Sequence, residues 1–368
     1  MDAAPVNLLG LPPRELADWV AARGSKPYRA RQLQHWLYKR GVDRFDAMTD
    51  LAREFRGQLE REATVALPEI VTEQASRDGT RKWLLRADVS QAFEMVYIPE
   101  PGRGTLCISS QVGCVLDCSF CSTAQQGFNR NLTAAEIVGQ VWLANRELGF
   151  AAAAERPVTN VVFMGMGEPL ANFRNVVAAI DILLHDDCFD LSRRRVTLST
   201  SGLVPQIHRL AEVSNVALAV SLHAPDDALR DELVPINRKH PIAELLEACW
   251  RYIDERNGRS VTFEYVMLEG VNDAPAQARA LARLLAGQPA KVNLIPFNPF
   301  PGTRYRRSPD EATWRFRDEL LRRGVMATVR RTRGGDIDAA CGQLVGRVND
   351  QVKNRLGLKR LPIPVVQA

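Results

Sequence analysis

The sequence has no uninterrupted apolar segment long enough to cross a bilayer, so we expect no membrane-spanning helix. Its first residues, MDAAPVNLLGLPPREL, contain no basic region followed by an apolar core, so we expect no secretory signal. Low-complexity segments and long sequence repeats are also missing. With 46% hydrophobic and 25% charged residues, the 368-residue chain has enough material for one large globular domain and a smaller one.

Cysteine is scarce and unevenly placed, with seven residues in total. An odd number cannot pair completely in disulfides, and three of the seven lie in one short segment, so we expect a reducing, cytoplasmic compartment. A structural zinc site normally has four ligands in two separated pairs. No second C-x2-C pair follows the segment, so the sequence does not have this common zinc pattern.

The three clustered cysteines are Cys114, Cys118 and Cys121, a C-x3-C-x2-C run with Phe120 before the last cysteine. Soft thiolates so close together suit zinc or an iron–sulfur cluster. Three unliganded core cysteines are the alternative, since free cysteine is often buried, but the segment is too compact and loop-like for a core. Three thiolates on a [4Fe–4S] cluster leave one iron free for a small molecule. The spacing resembles the signature of the radical S-adenosylmethionine (SAM) enzymes, whose open iron binds the amino and carboxylate groups of SAM.

Basic residues are concentrated in three segments, although the net charge is only +5. Residues 23–44 contain seven basic residues and one acid, interleaved with aromatic residues. Residues 301–335 contain ten arginines against four acids, and residues 346–368 contain five basic residues against one acid. One basic run is usually a solvated helix face. Three such runs, two of them with aromatic residues, favour a nucleic-acid partner.

The first part of the chain has helical periodicity. Apolar residues recur at helical spacing after Pro13, after Pro27 and from about Asp50, and a glycine follows each of the first two helical segments. We therefore expect a small helical domain over residues 1–68, with a positioning role.

The periodicity changes to that of strands near residue 70. Two short strands flank Asp78-Gly79, which is a strong hairpin signal, and a third strand covers Phe93–Ile98. We expect a β-hairpin and extension over residues 69–99 that connect the helical domain to the rest of the chain.

Strands and helices alternate in the rest of the chain, a pattern typical of an α/β fold with a parallel sheet. Six units predict a partial (β/α)6 barrel over residues 100–345, followed by a basic tail over residues 346–368. A further strand, Val325–Arg330, is the candidate to close the barrel. The predicted strands are Leu106–Ser109, Val161–Met164, Val196–Ser199, Val216–Ser221, Val261–Met267 and Val292–Pro296, and the main helices are Ala134–Leu148, Val176–Leu184, Ile242–Asn257 and Ala276–Leu285.

Polar residues follow several of the predicted strands, at the end where such barrels hold their chemistry. In the segment GMGEP, Gly167 lets the backbone approach a ligand and Glu168 can accept a hydrogen bond from an ammonium group. Taken singly, a glycine turn with an acid is common, a serine is usually a strand-end cap, and a histidine is usually structural. Their shared position at one rim favours a binding site. The other rim candidates are Ser199, Ser221, His223 and Asn298, the last in a proline-rich loop and suited to an adenine edge.

The other four cysteines fall into two groups. Cys188 and Cys249 have helical or post-helical context without polar neighbours, and we predict that they are structural. Cys107 lies in the first barrel strand, and Cys341 follows a glycine-rich stretch past the last strand. A buried thiol is the default interpretation for either. Both positions are nevertheless near the mouth of the predicted barrel, where two thiols beside a radical-generating cluster permit redox chemistry.

Several longer segments resemble the RlmN family of bacterial adenine-C2 methyltransferases, and the resemblance covers nearly the whole chain. Members of that family methylate C2 of an adenosine in 23S ribosomal RNA and of the adenosine 3′ of the anticodon in certain tRNAs. The resemblance therefore implies a radical SAM barrel, an N-terminal domain that positions RNA, and both RNAs as substrates. The matching segments are GCVLDCSFCSTAQQGFNRNL, GMGEP, STSG, SLHAP, IPFNPFPG and RGGDIDAACGQL.

The resemblance also implies roles for individual residues. Cys341 would carry a methyl group taken from a first SAM, Cys107 would be its partner thiol, and Glu94 would accept a proton. The role of Glu94 rests wholly on the resemblance, because composition alone would make it a surface carboxylate. The residues implied in holding the cluster are Cys114, Cys118 and Cys121, and those implied in SAM binding are Gly167, Glu168, Ser199, Ser221, Leu222, His223 and Asn298.

The implied chemistry uses two SAM molecules per turnover. C2 of adenine is electron-poor and does not attack the methyl group of SAM directly. A radical from the second SAM would instead take hydrogen from the methyl group on Cys341, and the methylene radical would add to C2. Glu94 would remove a proton, and Cys107 would attack the sulfur of Cys341, releasing the product as a disulfide forms. The target base has to leave its stack to reach Cys341.

The implied partners are 23S ribosomal RNA, tRNA and an electron-donor protein of the flavodoxin or ferredoxin type. No membrane partner is expected. Nothing in the sequence indicates an oligomer, so we expect a monomer.

Three alternatives have different requirements. An adenine-C8 methyltransferase of the antibiotic-resistance type would share the cluster and both thiols, although residues 124–128 are closer to the C2 enzymes. A non-catalytic zinc RNA-binding protein would need neither Cys107 nor Cys341. A cluster enzyme that acts on protein or small molecules would leave the basic helical domain without a role.

Overall fold

The computed structural model describes residues 4–150, 156–256 and 260–351 of the chain. The chain begins with a helical module, and two short parallel strands join the start of the module to its end. The elements of the module are β1 (Val6–Asn7), α1 (Pro13–Ala21), α2 (Tyr28–Gln34), α3 (Arg53–Glu62) and β2 (Ala63–Thr64).

The helices of this module occur where the sequence predicts them. Pro13 opens α1, where its missing N–H costs nothing, and Gly24 follows the helix with a φ of 72°. Helix α2 continues as a π-helical turn over His35–Lys39 that buries aromatic side chains. Helix α3 begins at Arg53, slightly later than predicted, because the preceding residues form a turn in which Leu51 N–H donates to the Met48 carbonyl.

The predicted hairpin is also present, but it belongs to the central sheet. Strands β3 (Ile70–Ala75) and β4 (Arg81–Arg86) pair antiparallel around the Asp78-Gly79 turn. Strand β5 (Ala92–Glu100) pairs antiparallel with β4, and then with β6 (Arg103–Cys107). These strands extend the sheet beyond its parallel part.

The remaining strands and helices alternate as the sequence predicts, with one small antiparallel pair after β6. They are β7 (Gln111–Gly113), α4 (Ser122–Gln126), β8 (Phe128–Asn131), α5 (Ala134–Glu147), β9 (Asn160–Phe163), α6 (Phe173–Leu184), β10 (Val196–Thr200), α7 (Val204–Val213), β11 (Ala217–Ser221), α8 (Asp227–Leu233), α9 (Ile242–Arg256), β12 (Val261–Met267), α10 (Pro275–Leu284), β13 (Ala290–Pro296), α11 (Asp310–Arg322) and β14 (Met326–Val329).

The ten strands of the central sheet are ordered β14-β13-β12-β11-β10-β9-β6-β5-β4-β3. The pairs from β6 to β14 are all parallel, and the pairs from β6 to β3 are antiparallel. The α/β fold with an open, partial barrel is therefore confirmed. The prediction that a last strand closes the barrel is wrong, because β14 pairs with β13 and forms one edge of the sheet. Within the described residues, no helix is both long enough and apolar enough to cross a membrane.

Residues 333–351, here called the C-terminal strap, follow β14 and contact β4, β5 and the segment after β7. On one side, Ala92 of β5 and Arg347 exchange two backbone hydrogen bonds of 2.9 and 3.0 Å. On the other side, Ser122 N–H donates to the Gly342 carbonyl at 2.9 Å, and Gln351 N–H donates to Phe128 O of β8 at 2.8 Å. The strap therefore bridges the antiparallel strands and the segment that carries the clustered cysteines. The predicted basic tail extends beyond it, and residues 352–368 lie outside the described residues.

Gly104 allows β6 to pack tightly against the start of β9. A Cβ atom at this position would lie 2.0 Å from the Pro157 carbonyl oxygen, which is backbone and cannot easily move. We expect Gly104→Ala to lower the free energy of unfolding by about 1–3 kcal/mol, measured by guanidinium denaturation. Gly57→Ala in α3 is the control, because its Cβ would meet only the end of the Arg61 side chain at 3.7 Å. That change should be neutral or stabilising by up to about 1 kcal/mol, and equal stability of the two variants would contradict this account.

Candidate active site

The clustered cysteines lie in a loop that is pinned at both ends. At its start, β7 pairs with β8, and Cys114 N–H donates to the Gly127 carbonyl at 2.7 Å. Near its end, Cys121 N–H donates to the Cys118 carbonyl at 3.2 Å, directly before α4. These backbone bonds hold the three thiols in one small region after β6.

Burial raises the pKa of all three thiols. The pKa of Cys114 is raised further by the two other cysteines, and that of Cys118 rises to about 12, with Cys121 as the second cause. The pKa of Cys121 is raised as well, by burial. Deprotonated thiols at this position therefore require positive charge, and metal binding provides it.

The number of these thiols distinguishes between kinds of metal site. A structural zinc site is closed by four ligands, whereas a [4Fe–4S] cluster binds each thiolate through a different iron. The chain offers three cysteines here and no second C-x2-C pair. The number of cysteines therefore fits a cluster with one open iron better than a closed zinc site.

The turn after β9 brings a buried carboxylate to the rim of the sheet. Gly167 has a φ of 101°, and a Cβ atom there would lie 2.5 Å from the Gln111 side chain. The Glu168 carboxylate accepts hydrogen bonds from Leu170 N–H at 3.0 Å and Ser201 N–H at 2.7 Å. Burial raises its pKa, while these backbone donors oppose the rise. The carboxylate can accept further hydrogen bonds, which suits an ammonium group.

His223 follows β11 in a conformation that non-glycine residues rarely adopt, with a φ of 62°. Its Nδ1 accepts from Val266 N–H at 3.0 Å, and the Phe120 ring packs edge-on with a centroid distance of 4.6 Å. Burial lowers the pKa of His223 to about 3. The imidazole is therefore neutral, and its proton is assigned to Nε2 because Nδ1 acts as an acceptor.

Most of the predicted SAM-binding residues line one cavity, here called the strand-end cavity, which contains about 780 Å³ of empty space. Its walls also include Phe120 and Cys121 of the cysteine loop. The predicted residues in its wall are Gly167, Glu168, Ser199, Ser221 and His223. Leu222 is fully buried beside them, and Asn298 lies elsewhere.

A second cavity, here called the thiol cavity, contains about 690 Å³ of empty space. Cys107, Asn298 and Cys341 line it, and the Asn298 side-chain amide donates to the Cys341 carbonyl at 3.3 Å. Cys341 also lines the strand-end cavity. The structure therefore brings the two predicted thiols to one cavity and places Cys341 in the wall between the two.

Arg330, just after β14, lines both cavities. Cys341 is the largest cause of a raised pKa of Arg330, and Glu264 and Cys107 add to it. Burial raises the pKa of Cys107 to about 12, and Arg330 opposes that rise. Arg330 thus faces both thiols.

Glu94 is close to these cavities but lines neither of them. It lies on β5, two residues before Val96, which does line the thiol cavity. Its carboxylate is 3.2 Å from Lys82 Nζ and accepts from Val345 N–H of the strap at 2.8 Å. Burial raises the pKa of Glu94, and Lys82 lowers it. The predicted proton acceptor is therefore buried and already paired, not a surface carboxylate.

Comparison with known proteins agrees with this geometry. The model of the ribosomal RNA large subunit methyltransferase N-terminal domain matches residues 6–65, and that of the radical SAM superfamily matches residues 108–282. The dual-specificity RNA methyltransferase RlmN of Marinobacter nauticus is 54% identical over 352 residues, which is 95% of each chain. The chain belongs to the RlmN family.

A solved structure supports the same assignment. A radical SAM methyltransferase from Sphaerobacter thermophilus matches with a TM-score of 0.86 and 48% identity, over 92% of this chain and 99% of that one. Membership of the RlmN family is therefore confirmed together with the radical SAM fold. It gives the chain a [4Fe–4S] cluster and SAM as its cofactors, and it excludes the alternative of a non-catalytic zinc protein.

Four charged side chains at this site, all buried or partly buried, are not among the residues that the sequence predicts. Glu264 and Arg330 have usable signals, an acid inside an apolar strand and a basic residue at the end of the last predicted strand. Lys82 and Arg230 have no such sequence signal, because each lies in a segment with ordinary amphipathic spacing. Their importance depends on partners distant in the chain.

Arg230 of α8 connects the ends of β10 and β11, where Ser201 and Ser221 line the strand-end cavity. Its side chain is completely buried and donates to the carbonyls of Ser201, Ser221 and Leu222, at 2.7, 3.0 and 3.1 Å. A fourth bond of 2.8 Å reaches Asn237 Oδ1. The planar guanidinium is suited to hold several acceptors in fixed directions.

We expect Arg230→Lys to lower the free energy of unfolding by at least about 2 kcal/mol, because an ammonium group leaves buried carbonyls without donors. SAM binding to the reconstituted chain should weaken too, since the ends of β10 and β11 lose the hydrogen bonds from Arg230 that connect them. Guanidinium denaturation and titration calorimetry with SAM measure the two effects. Arg209→Lys, at an exposed position bonded to Gln206 of the same helix, is the control. Unchanged stability and SAM affinity in Arg230→Lys would show that the hydrogen bonds from Arg230 to the two strand ends are not required.

Proposed function

We propose that this chain methylates C2 of an adenosine in 23S ribosomal RNA and of the adenosine 3′ of the anticodon in tRNA. The observation that carries the proposal is the position of Cys341, in the wall shared by the strand-end cavity and the thiol cavity. From there one sulfur can meet a methyl donor on one side and a base and Cys107 on the other. The name of the Marinobacter relative, a dual-specificity RNA methyltransferase, supports RNA as the substrate.

In this proposal the cysteine loop holds the cluster and the strand-end cavity holds SAM. Glu168 accepts hydrogen bonds from the ammonium group, and the serine hydroxyls bind ribose and carboxylate oxygens. Neutral His223 can donate from Nε2. Leu222 contributes an apolar support, and Asn298 binds from the thiol-cavity side. The proposed cluster ligands are Cys114, Cys118 and Cys121, and the proposed serine contacts are Ser199 and Ser221.

Cys341 receives the methyl group. Its thiolate attacks the methyl carbon of a first SAM, a carbon–sulfur bond forms, and S-adenosylhomocysteine leaves with the electron pair. Arg330 lies beside Cys341, and its positive charge faces the sulfur. C2 of adenine cannot make this attack itself, which explains why a protein sulfur carries the methyl group first.

When bound, the cluster and a second SAM supply a carbon-centred radical that removes hydrogen from this methyl group. They also supply an acceptor for one electron, which is released later in the reaction. The methylene carbon on Cys341 then bonds to C2, and the unpaired electron left on the ring passes to that acceptor. Glu94 removes the C2 proton, and the Cys107 thiolate attacks the sulfur of Cys341. The carbon leaves with the electron pair and takes a proton, so the products are a methylated base and a disulfide between the two cysteines.

The thiol cavity is proposed to receive the target base. An adenine inside a helical stack cannot reach Cys341, so the base has to be extruded or taken from a loop. Arg331 and Arg333 line this cavity and can bind the flanking phosphates. Residues 1–68 are proposed to position the RNA, residues 69–99 to support the site, residues 100–345 to perform the chemistry and the basic tail from residue 346 to bind the backbone.

We further propose the setting in which the enzyme works. An electron-donor protein of the flavodoxin or ferredoxin type reduces the cluster, and a cytoplasmic, reducing compartment restores the two thiols after each turnover. A monomer suffices for the scheme, since one chain contributes every residue named in it.

The function is tested by anaerobic reconstitution of the chain with iron and sulfide, followed by incubation with SAM, a reductant and a 23S ribosomal RNA fragment or tRNA. Mass spectrometry of the nucleosides should detect 2-methyladenosine, with release of 5′-deoxyadenosine. An 8-methyladenosine product would instead place the activity with the resistance enzymes. A chain with iron but without either product would refute RNA methylation.

Cys107→Ala should trap a covalent adduct between RNA and Cys341, because nothing can then attack the sulfur of Cys341. Denaturing gels should show the adduct, and release of 2-methyladenosine should fall by at least about 100-fold. Cys249→Ala is the control, since Cys249 is a buried cysteine on α9 that lines neither cavity. Free methylated RNA at the normal rate from Cys107→Ala would rule out the two-thiol scheme.

A further inference from the structure

Lys82 and Glu94 form an ion pair in the antiparallel part of the sheet. The Nζ–Oε1 distance is 3.2 Å, and the two side chains are only 9% and 6% exposed. Lys82 of β4 lies opposite Val96 of β5, so Lys82 and Glu94 are diagonal neighbours on one face. Removing two charges from water is costly, and well-packed apolar residues of similar size would often stabilise a protein at least as well. The pair therefore points to a task other than stability.

The hydrogen bonds of the pair reach the strap at two points. Lys82 Nζ donates to the Asp338 carbonyl at 3.3 Å, and Glu94 Oε2 accepts from Val345 N–H at 2.8 Å. These two points flank Cys341 in the sequence. The ion pair thus fixes the segment that carries the proposed methyl carrier relative to the proposed proton acceptor.

The turn of the same hairpin holds the beginning of the strap. Asp78 accepts from Gly334 N–H at 3.1 Å, and Ser76 Oγ donates to Asp336 at 2.5 Å. Because these bonds do not involve Lys82, the strap should remain attached to the hairpin when Lys82 is replaced. A substitution at Lys82 therefore probes the ion pair without detaching the strap.

The charges around Glu94 act in opposite directions. Burial raises the pKa of Glu94, and the Lys82 ammonium and Val345 N–H lower it. Asp338 of the strap also raises the pKa of Glu94, by a smaller amount than burial does. On the other side, Ser109 donates to the Glu94 carbonyl and carries no charge. Without Lys82, the Glu94 carboxyl group would keep its proton up to a higher pH.

We propose that Lys82 is a positioning residue for RNA methylation, which holds Glu94 beside the Cys341 segment as the carboxylate that accepts the C2 proton. The proposal rests on the proposed function. In the step concerned, the C2–H bond breaks, its proton moves to a carboxylate oxygen of Glu94, and its electron pair stays in the ring. Oε2 becomes available when Val345 N–H is displaced, while Lys82 keeps its bond to Oε1.

The test compares Lys82→Met and Lys82→Arg with a matched control, Arg81→Met. Arg81 is the next residue on β4, is 41% exposed and pairs with Glu73 at 3.2 Å. Each reconstituted full-length chain is incubated with SAM, reductant and the 23S ribosomal RNA fragment between pH 6 and pH 9. Methylation of Cys341, the covalent RNA adduct and 2-methyladenosine are measured separately.

Lys82→Met should methylate Cys341 normally but accumulate the RNA adduct, with 2-methyladenosine formed at least about tenfold more slowly at pH 7. The deficit should shrink as the pH rises, because a Glu94 with a raised pKa becomes ionised only at higher pH. Lys82→Arg keeps the charge and should restore most of the rate. Arg81→Met should behave like the wild type.

Two outcomes would overturn the proposal. The first is a Lys82→Met variant with the wild-type rate and pH profile, and the second is equal loss of Cys341 methylation and product formation, which indicates a structural defect only. If the wild type itself forms no 2-methyladenosine, the proposed function fails, and that result is separate from the comparison of variants.

Hydrogen exchange provides a second measurement that does not depend on turnover. In the full-length chain without RNA, Lys82→Met should exchange the Val345 amide faster than the wild type, while Arg81→Met should not. This measurement remains decisive if Lys82→Met takes up iron poorly. Unchanged exchange at Val345 in Lys82→Met would contradict the proposed link between Lys82, Glu94 and the strap.

Discussion

The parallel pairing of β6 and β9–β14 decides where chemistry can occur. Because these strands run in the same direction, their C-terminal ends all lie along one rim of the sheet. The register places Ser221 of β11 beside Glu264 of β12, and Cys107 of β6 beside Val162 of β9. Arg330 leaves β14 at the same rim. Groups from opposite ends of the domain thus line two adjoining cavities, and only short loops are needed to complete them.

The side chains at this rim are buried, and burial shifts their pKa values. Burial raises the pKa of Glu168, Glu94 and Cys107 and lowers that of His223 to about 3, so burial disfavours the charged form of each group. The cations are placed where this tendency has to be opposed. Lys82 is paired with Glu94, and Arg330 faces both thiols. Each proposed proton or methyl transfer therefore has its own charge partner.

The sequence allows the parallel strands, the helical module and the residues at the strand ends to be predicted, because period, glycine turns and cysteine spacing are local signals. It does not allow the Lys82–Glu94 pair or the path of the strap to be predicted. Those depend on β4 and β5 pairing in one register and on Val345 returning to them from far along the chain. The open edge at β14 cannot be predicted from the sequence either, since closure of a barrel depends on the geometry of the whole sheet and not on the strand itself.

The three proposed reacting groups differ in how firmly they are fixed. Val96 pairs with Cys107 across β5 and β6, and Glu94 lies two residues from Val96, so Glu94 and Cys107 share one face of a rigid ladder. Cys341 belongs to a strap that is held by individual hydrogen bonds and not by a strand ladder, among them bonds to the carbonyls of Asp338, Cys341 and Gly342. The proposed scheme requires this difference. The sulfur that moves between methyl donor and base needs freedom, whereas the groups that take the proton and attack the sulfur need a fixed position.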